Sequence, residues 1–206
     1  MRSTDRLESR DGTTAWLNLR WYPAILELCR SGIAAVQGGR YDSLTDIFGT
    51  QLPPSDYQRD DNSFAWVVGE AILQLTRMHA FKRLPGHEQH YAPMSEHLFK
   101  ILQPSLDDVL FMGKDYERAF DEFEVLFALN VADIYYQTRQ HVWGPIGRFG
   151  WKHDRGNGPL ARVVGEARSL GDGWLPIKSG LFGGKSERFR NVADQYVNMV
   201  SKLGWG

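Results

Sequence analysis

Four groups of residues combine types and spacings that chemistry can use. The first is the run Gly180-Leu181-Phe182-Gly183-Gly184-Lys185-Ser186. A P-loop wraps phosphate in the backbone amides of G-x-x-x-x-G-K-[ST]. This run is one residue short, and no apolar strand precedes it. What remains is a helix start flanked by Lys185, Ser186 and Arg188, where a helix N-terminus can hold a single anion. The second group is His79, His87, His90 and His97. His87-Glu88-Gln89-His90 lacks one residue of the zinc-binding H-E-x-x-H pattern, which needs helical histidines at i and i+4, and it follows Pro85-Gly86, where no helix is expected. Exposed loop histidines are the expectation, with no metal site and no cofactor. The third group is Glu117, Asp121 and Glu124, at i, i+4 and i+7. Paired carboxylates hold magnesium or move protons, but such a stripe is ordinarily the solvated side of an amphipathic helix. Asp133 differs, because Val131, Ala132, Ile134 and Tyr135 surround it. A buried acid needs a cation, and Arg148 is the expected partner in a structural ion pair. The fourth group is Trp143, Arg148, Phe149, Trp151, Lys152, His153 and Arg155, on a glycine-rich frame. Flat rings beside cations suit single-stranded nucleic acid, whose bases stack while its phosphates pair. The plainer expectation is a loop with its rings in the core and its charges in water. Cys29 lies among Ile25, Leu26 and Leu28, the setting of a buried, inert thiol.

The elements that must position these groups read as helices throughout. From Lys114 to Gln140 there is neither glycine nor proline. Tyr116, Phe120, Phe123, Phe127, Val131 and Ile134 recur at steps of three and four, the mark of one helix face. Beyond Val125 the other faces turn apolar as well, so this helix should be enclosed by the rest. Before it, a helix is expected from about Thr14 to Arg30 with a break at Pro23, and a second piece after Ser31-Gly32. Asp42 should cap a short helix ending at Gly49, and Ser63 the stripe Phe64, Val67, Val68, Ala71, Ile72, Leu75 and Met78. Ser95 should cap a helix to Leu102, with Pro104 opening another. Residues 141–158, rich in glycine and aromatics, should form a structured loop or hairpin. Pro159 should open a helix that stops at Gly171, and Ser186 should cap the last one.

The expected fold is therefore all-α, one bundle of seven or eight helices around a long central helix. Residues 1–13 are expected to be a disordered tail and 14–206 the helical domain. The 24 basic and 25 acidic side chains nearly cancel, so bulk charge draws the chain to neither nucleic acid nor membrane. The signs are segregated: Ser105–Ile134 holds eight acids and two bases, Arg139–Arg190 ten bases and four acids. One cysteine allows no internal disulfide. No apolar run is long enough to span a bilayer, and the first residues are not a signal peptide. A cytoplasmic protein is expected.

Three segments carry a resemblance: YPAILELCRSGIAAVQGGRYDSL at Tyr22–Leu44, GPIGRFGWK at Gly144–Lys152 and GLFGGKSERF at Gly180–Phe189. In this order they resemble a helical region found toward the C-terminus of some bacterial proteins with a Toll/interleukin-receptor-like or sirtuin-like effector domain, associated with phage defence. The resemblance implies a non-enzymatic helical module and carries no catalytic residue. It implies a protein partner, or self-association, and a scaffolding or regulatory role. The alternative is nucleic-acid or nucleotide binding through residues 143–155 and the Lys185 region. A weaker option is a metal-dependent hydrolase built on Glu117, Asp121 and Glu124.

Overall fold

The computed structural model describes residues 17, 19–53, 61–152 and 158–204. The expected tail, 1–13, and the loop residues His153 and Arg155 lie outside them. Among the described residues the fold is all-α: α1 (Tyr22–Gln37), α2 (Tyr41–Gly49), α3 (Phe64–Arg77), α4 (Pro93–Leu110), α5 (Tyr116–Arg139), α6 (Pro159–Leu170), α7 (Leu175–Lys178) and α8 (Ser186–Ser201). Short 3-10 turns fall at Phe81–Arg83, Gly113–Asp115, Gly171–Gly173 and Leu181–Gly184. An antiparallel bridge between Gln51 and Ser63 closes the loop from α2 to α3.

The 24-residue α5 is the central rod. Tyr116, Phe120, Phe123, Phe127 and Val131 are buried, and so are Leu126, Ala128, Leu129 and Ala132 on its other faces. A helix apolar on every side is stable only inside a shell. That shell is α1, α3, α4, α6 and α8, which all pack on α5. One apolar cluster runs through all the described helices, so they share a single core.

Local signals place several ends. Ser63 Oγ accepts the Trp66 N–H at 3.4 Å and starts α3. Pro159 opens α6, and Gly171, at φ 54°, ends it. The break expected at Pro23 is present: Leu17 and Leu19 are helical, Arg20 and Trp21 form a turn, and α1 starts at Tyr22 with Pro23 in its first turn. Elsewhere tertiary packing overrides the local reading. Gly32 lies inside α1, unbroken, because a Cβ there would overlap the Phe123 ring of α5. Glycine is what lets the two helices approach so closely. Pro104 likewise lies inside one continuous α4. Leu98, Leu102 and Leu106, one turn apart, are all buried and hold both halves of α4 on the core. Asp42 is in the first turn of α2 but does not cap it; Arg40 occupies that position and pairs with Asp42 at 3.0 Å. Ser186 is the first helical residue of α8, with Lys185 before it.

Candidate functional site

Loop 140–152 folds back along α5, and small residues decide how closely. A Cβ on Gly144 would strike the Ala128 carbonyl, and one on Gly147 the Glu124 carboxylate. The Tyr196 hydroxyl of α8 donates to the Pro145 carbonyl at 2.8 Å and pins the loop from the far side. Phe149 is fully buried, and Trp143 packs edge-on against Tyr135. The segment is thus a structured loop without strands.

Its cations face the protein's own acids. The Arg148 guanidinium is buried 3.6 Å above the centre of the Phe99 ring. Its Nη2 donates to Glu117 at 3.1 Å, and its Nε lies 3.8 Å from Asp121 and 3.9 Å from Glu96. Lys152 Nζ reaches Glu117 at 2.8 Å and Asp121 at 2.5 Å. Trp151 Nε1 donates to Glu96 at 3.1 Å. The acidic stripe is therefore not a solvated face. Glu117 stays exposed, but Asp121 is buried and Glu124 half-buried. Among the described residues no group of three metal-ligating side chains is placed to hold an ion.

Glu124 is the unusual member. Its carboxylate accepts the Ser95 hydroxyl at 2.6 Å and the Arg148 backbone N–H at 3.2 Å. The same Ser95 oxygen accepts the Arg148 N–H at 2.9 Å. Burial, only partly offset by the Ser95 hydrogen bond, pushes the Glu124 carboxyl up to about 8. Burial also raises Asp121, against the pull of Lys152 and Arg148. Ser95 is thus no helix cap; it joins α4 to α5 and the loop. Glu124 also lines a pocket of about 230 Å³ between α1, α3, the start of α4 and α5. Ile25, Leu28, Ile72, Leu75, Phe123 and Phe127 form its apolar walls. Its exposed lining residues, Thr76, His79, Lys82 and Tyr91, mark the open side.

The ion pair expected between Asp133 and Arg148 is not formed. Asp133, 2% exposed, pairs instead with Arg188 of α8: Nε lies 2.7 Å from Oδ1 and Nη2 2.6 Å from Oδ2. Twelve residues of helix, about 18 Å, separate Asp133 from Asp121, where Arg148 sits. With Arg188 so engaged, the expected anion site at the start of α8 also changes. Asp172 accepts the Ser186 N–H at 3.1 Å, and hydrogen bonds from Ser186 hold its carboxyl below the usual range. A carboxylate of the chain itself sits where an external anion was expected, beside the exposed Lys185.

The histidines do not lie open in a loop either. His87 is buried, its ring 5.0 Å from that of His90 and 5.8 Å from that of His97. His97 shares a 2.8 Å hydrogen bond with the Tyr22 hydroxyl, and burial lowers its pKa. His79 alone of the four is exposed. Cys29 is buried in the pocket wall, and burial drives its thiol well above the usual range.

Sequence reasoning missed Ser95 and Glu96 as partners of the loop, and Glu122, which accepts from Tyr41 at 2.6 Å and pairs with Arg162 at 3.3 Å. A signal for Glu124 was present. The carboxylate stripe runs on into Ala128 and Val131, so its C-terminal end had to approach the core. Compared with known proteins, the chain matches no family model, no curated protein and no solved structure.

Proposed function

We propose that the chain is a non-enzymatic helical interaction module. It holds a protein partner and scaffolds or regulates an effector, in a bacterial, anti-phage setting of the kind the resemblance implies. The observation that carries this reading is the C-terminal end of α4. Val109 is 69% exposed and Phe111 87%, with Leu110 beside them. Phe111 also sits in the left-handed region, at φ 50°, where its N–H closes the helix on the Asp107 carbonyl. That position favours glycine, and a side chain there costs about 1–2 kcal/mol. A phenylalanine that carries both this cost and a ring in water makes sense where a partner takes the ring. Burying it in a partner's pocket would return about 1.5–3 kcal/mol.

Nucleic-acid binding by the 143–155 loop has less support. Arg148 and Lys152 are engaged by Glu117 and Asp121, and the Trp151 indole N–H by Glu96.

Phe111→Gly separates binding from folding. It relieves the backbone and is expected to stabilise the free protein by about 1 kcal/mol. Affinity capture from the source cell, read by mass spectrometry, is expected to lose a partner that the unaltered chain retains. Light scattering shows whether that partner is a second copy. Equal capture by both chains overturns the reading.

A further inference from the structure

The pocket beneath loop 145–149 is not used by the interaction surface at Phe111. It is apolar, yet a carboxyl group opens onto it. Glu124 accepts hydrogen bonds from two uncharged donors, the Ser95 hydroxyl and the Arg148 backbone N–H. Among the described residues it has no ion-pair partner. The nearby cations are committed elsewhere: Arg148 and Lys152 serve Glu96, Glu117 and Asp121. Two cations thus serve three other carboxylates, and neither forms an ion pair with Glu124. The lining also includes Phe123, Phe127 and Phe149, and aromatic rings attract cations through their faces.

We propose that this pocket binds a small hydrophobic amine, with the ammonium group on Glu124 and the apolar body among the phenylalanines. The size fits a single ring on a short chain. A dry apolar cavity of about 150 Å³ takes benzene, and this one, at about 230 Å³, has room for two more carbons and a nitrogen.

The charges around Glu124 determine the pH dependence. Cys29 faces it from α1, Tyr116 and Asp121 from α5, Tyr196 from α8 and Arg148 from the loop. Burial keeps the thiol and both phenols neutral near neutrality. His79 and Lys82 stand at the open side. In the empty pocket Glu124 holds its proton up to about pH 8. An ammonium ion pairs with the ionised form, so binding at neutral pH expels that proton. Affinity therefore rises with pH, by about tenfold per unit below about pH 8, and levels off above it.

Phenethylamine and 2-phenylethanol are the probes, titrated into the whole chain by calorimetry from about pH 6 to about pH 9. The amine is expected to bind with this pH profile, with the proton release visible as a buffer-dependent heat. The alcohol is expected to bind at least about tenfold more weakly at the upper end. Glu124→Gln should remove both the pH profile and the preference for the amine. Ile72→Trp fills the pocket from α3 without touching Glu124, and should abolish binding of both probes. No saturable binding of phenethylamine to the unaltered chain overturns the proposal. So does equal affinity for amine and alcohol, or an unchanged amine profile in Glu124→Gln.

Discussion

Arg188 neutralises an acid that α5 carries into the core. Asp133 has almost no contact with water, and its two oxygens are both met by the guanidinium. Replacing Arg188 with methionine keeps the stem and leaves the carboxylate buried alone, at a cost of about 3–5 kcal/mol. Urea denaturation of Arg188→Met should show that loss, and the double change Asp133→Asn with Arg188→Met should regain much of it. Arg148→Met should not respond to Asp133→Asn, since the two side chains serve separate pairs. Glu124 makes a second prediction at this scale. Its carboxyl is raised, so between about pH 4.5 and about pH 8 the folded chain keeps a proton that the unfolded chain has released. The resulting stabilisation is complete below the lower value and is lost as pH rises through the upper one. The slope is at most about 1.4 kcal/mol per pH unit. Asp121, also raised, acts in the same sense. Urea midpoints measured across this window should fall with pH in the unaltered chain and fall less steeply in Glu124→Gln; parallel curves would contradict the assignment.

Helices meet here through missing side chains. At Gly32 the backbone of α1 lies on the Phe123 ring, and at Gly69 α3 lies on Val131. Gly32→Ala should cost about 1–3 kcal/mol by overpacking, read as a lower melting temperature. Adding Phe123→Leu should recover part of this, because the smaller side chain vacates the space. If Gly32→Ala instead stabilises the protein, as it would in an isolated helix, the close approach of α1 and α5 is refuted. The same seam explains why elements were misjudged from sequence. Gly32 and Pro104 both carry the local signature of a break. Each is overridden: Gly32 makes room for a ring, and the buried leucines of α4 hold Pro104 in register. Where an end depends on neighbours a few residues away, as at Ser63, Pro159 and Gly171, the local reading agrees with the structure.

At the scale of the whole molecule, the segregation of charge becomes a set of internal pairs. The acids of α5 meet bases that follow it in the chain: Glu117 and Asp121 with Arg148 and Lys152, Glu122 with Arg162, Asp133 with Arg188. The later half thus wraps the central rod with complementary sign, leaving fewer cations there for an outside ligand. Among the described residues no helix is long and apolar enough to cross a membrane. The all-α class, the enclosure of α5 and the burial of Cys29 follow from sequence alone. They depend on periodicity and composition within one stretch, and burial of an all-apolar helix admits few alternatives. Which acids are buried, which cation each one meets, and that a pocket opens at Glu124 were decided only by tertiary structure. Ser95 lies 29 residues from Glu124, Arg148 31 from Glu117 and Arg188 55 from Asp133. Helical spacing says which side chains share a face, but which distant segment covers that face is set by how the whole core packs.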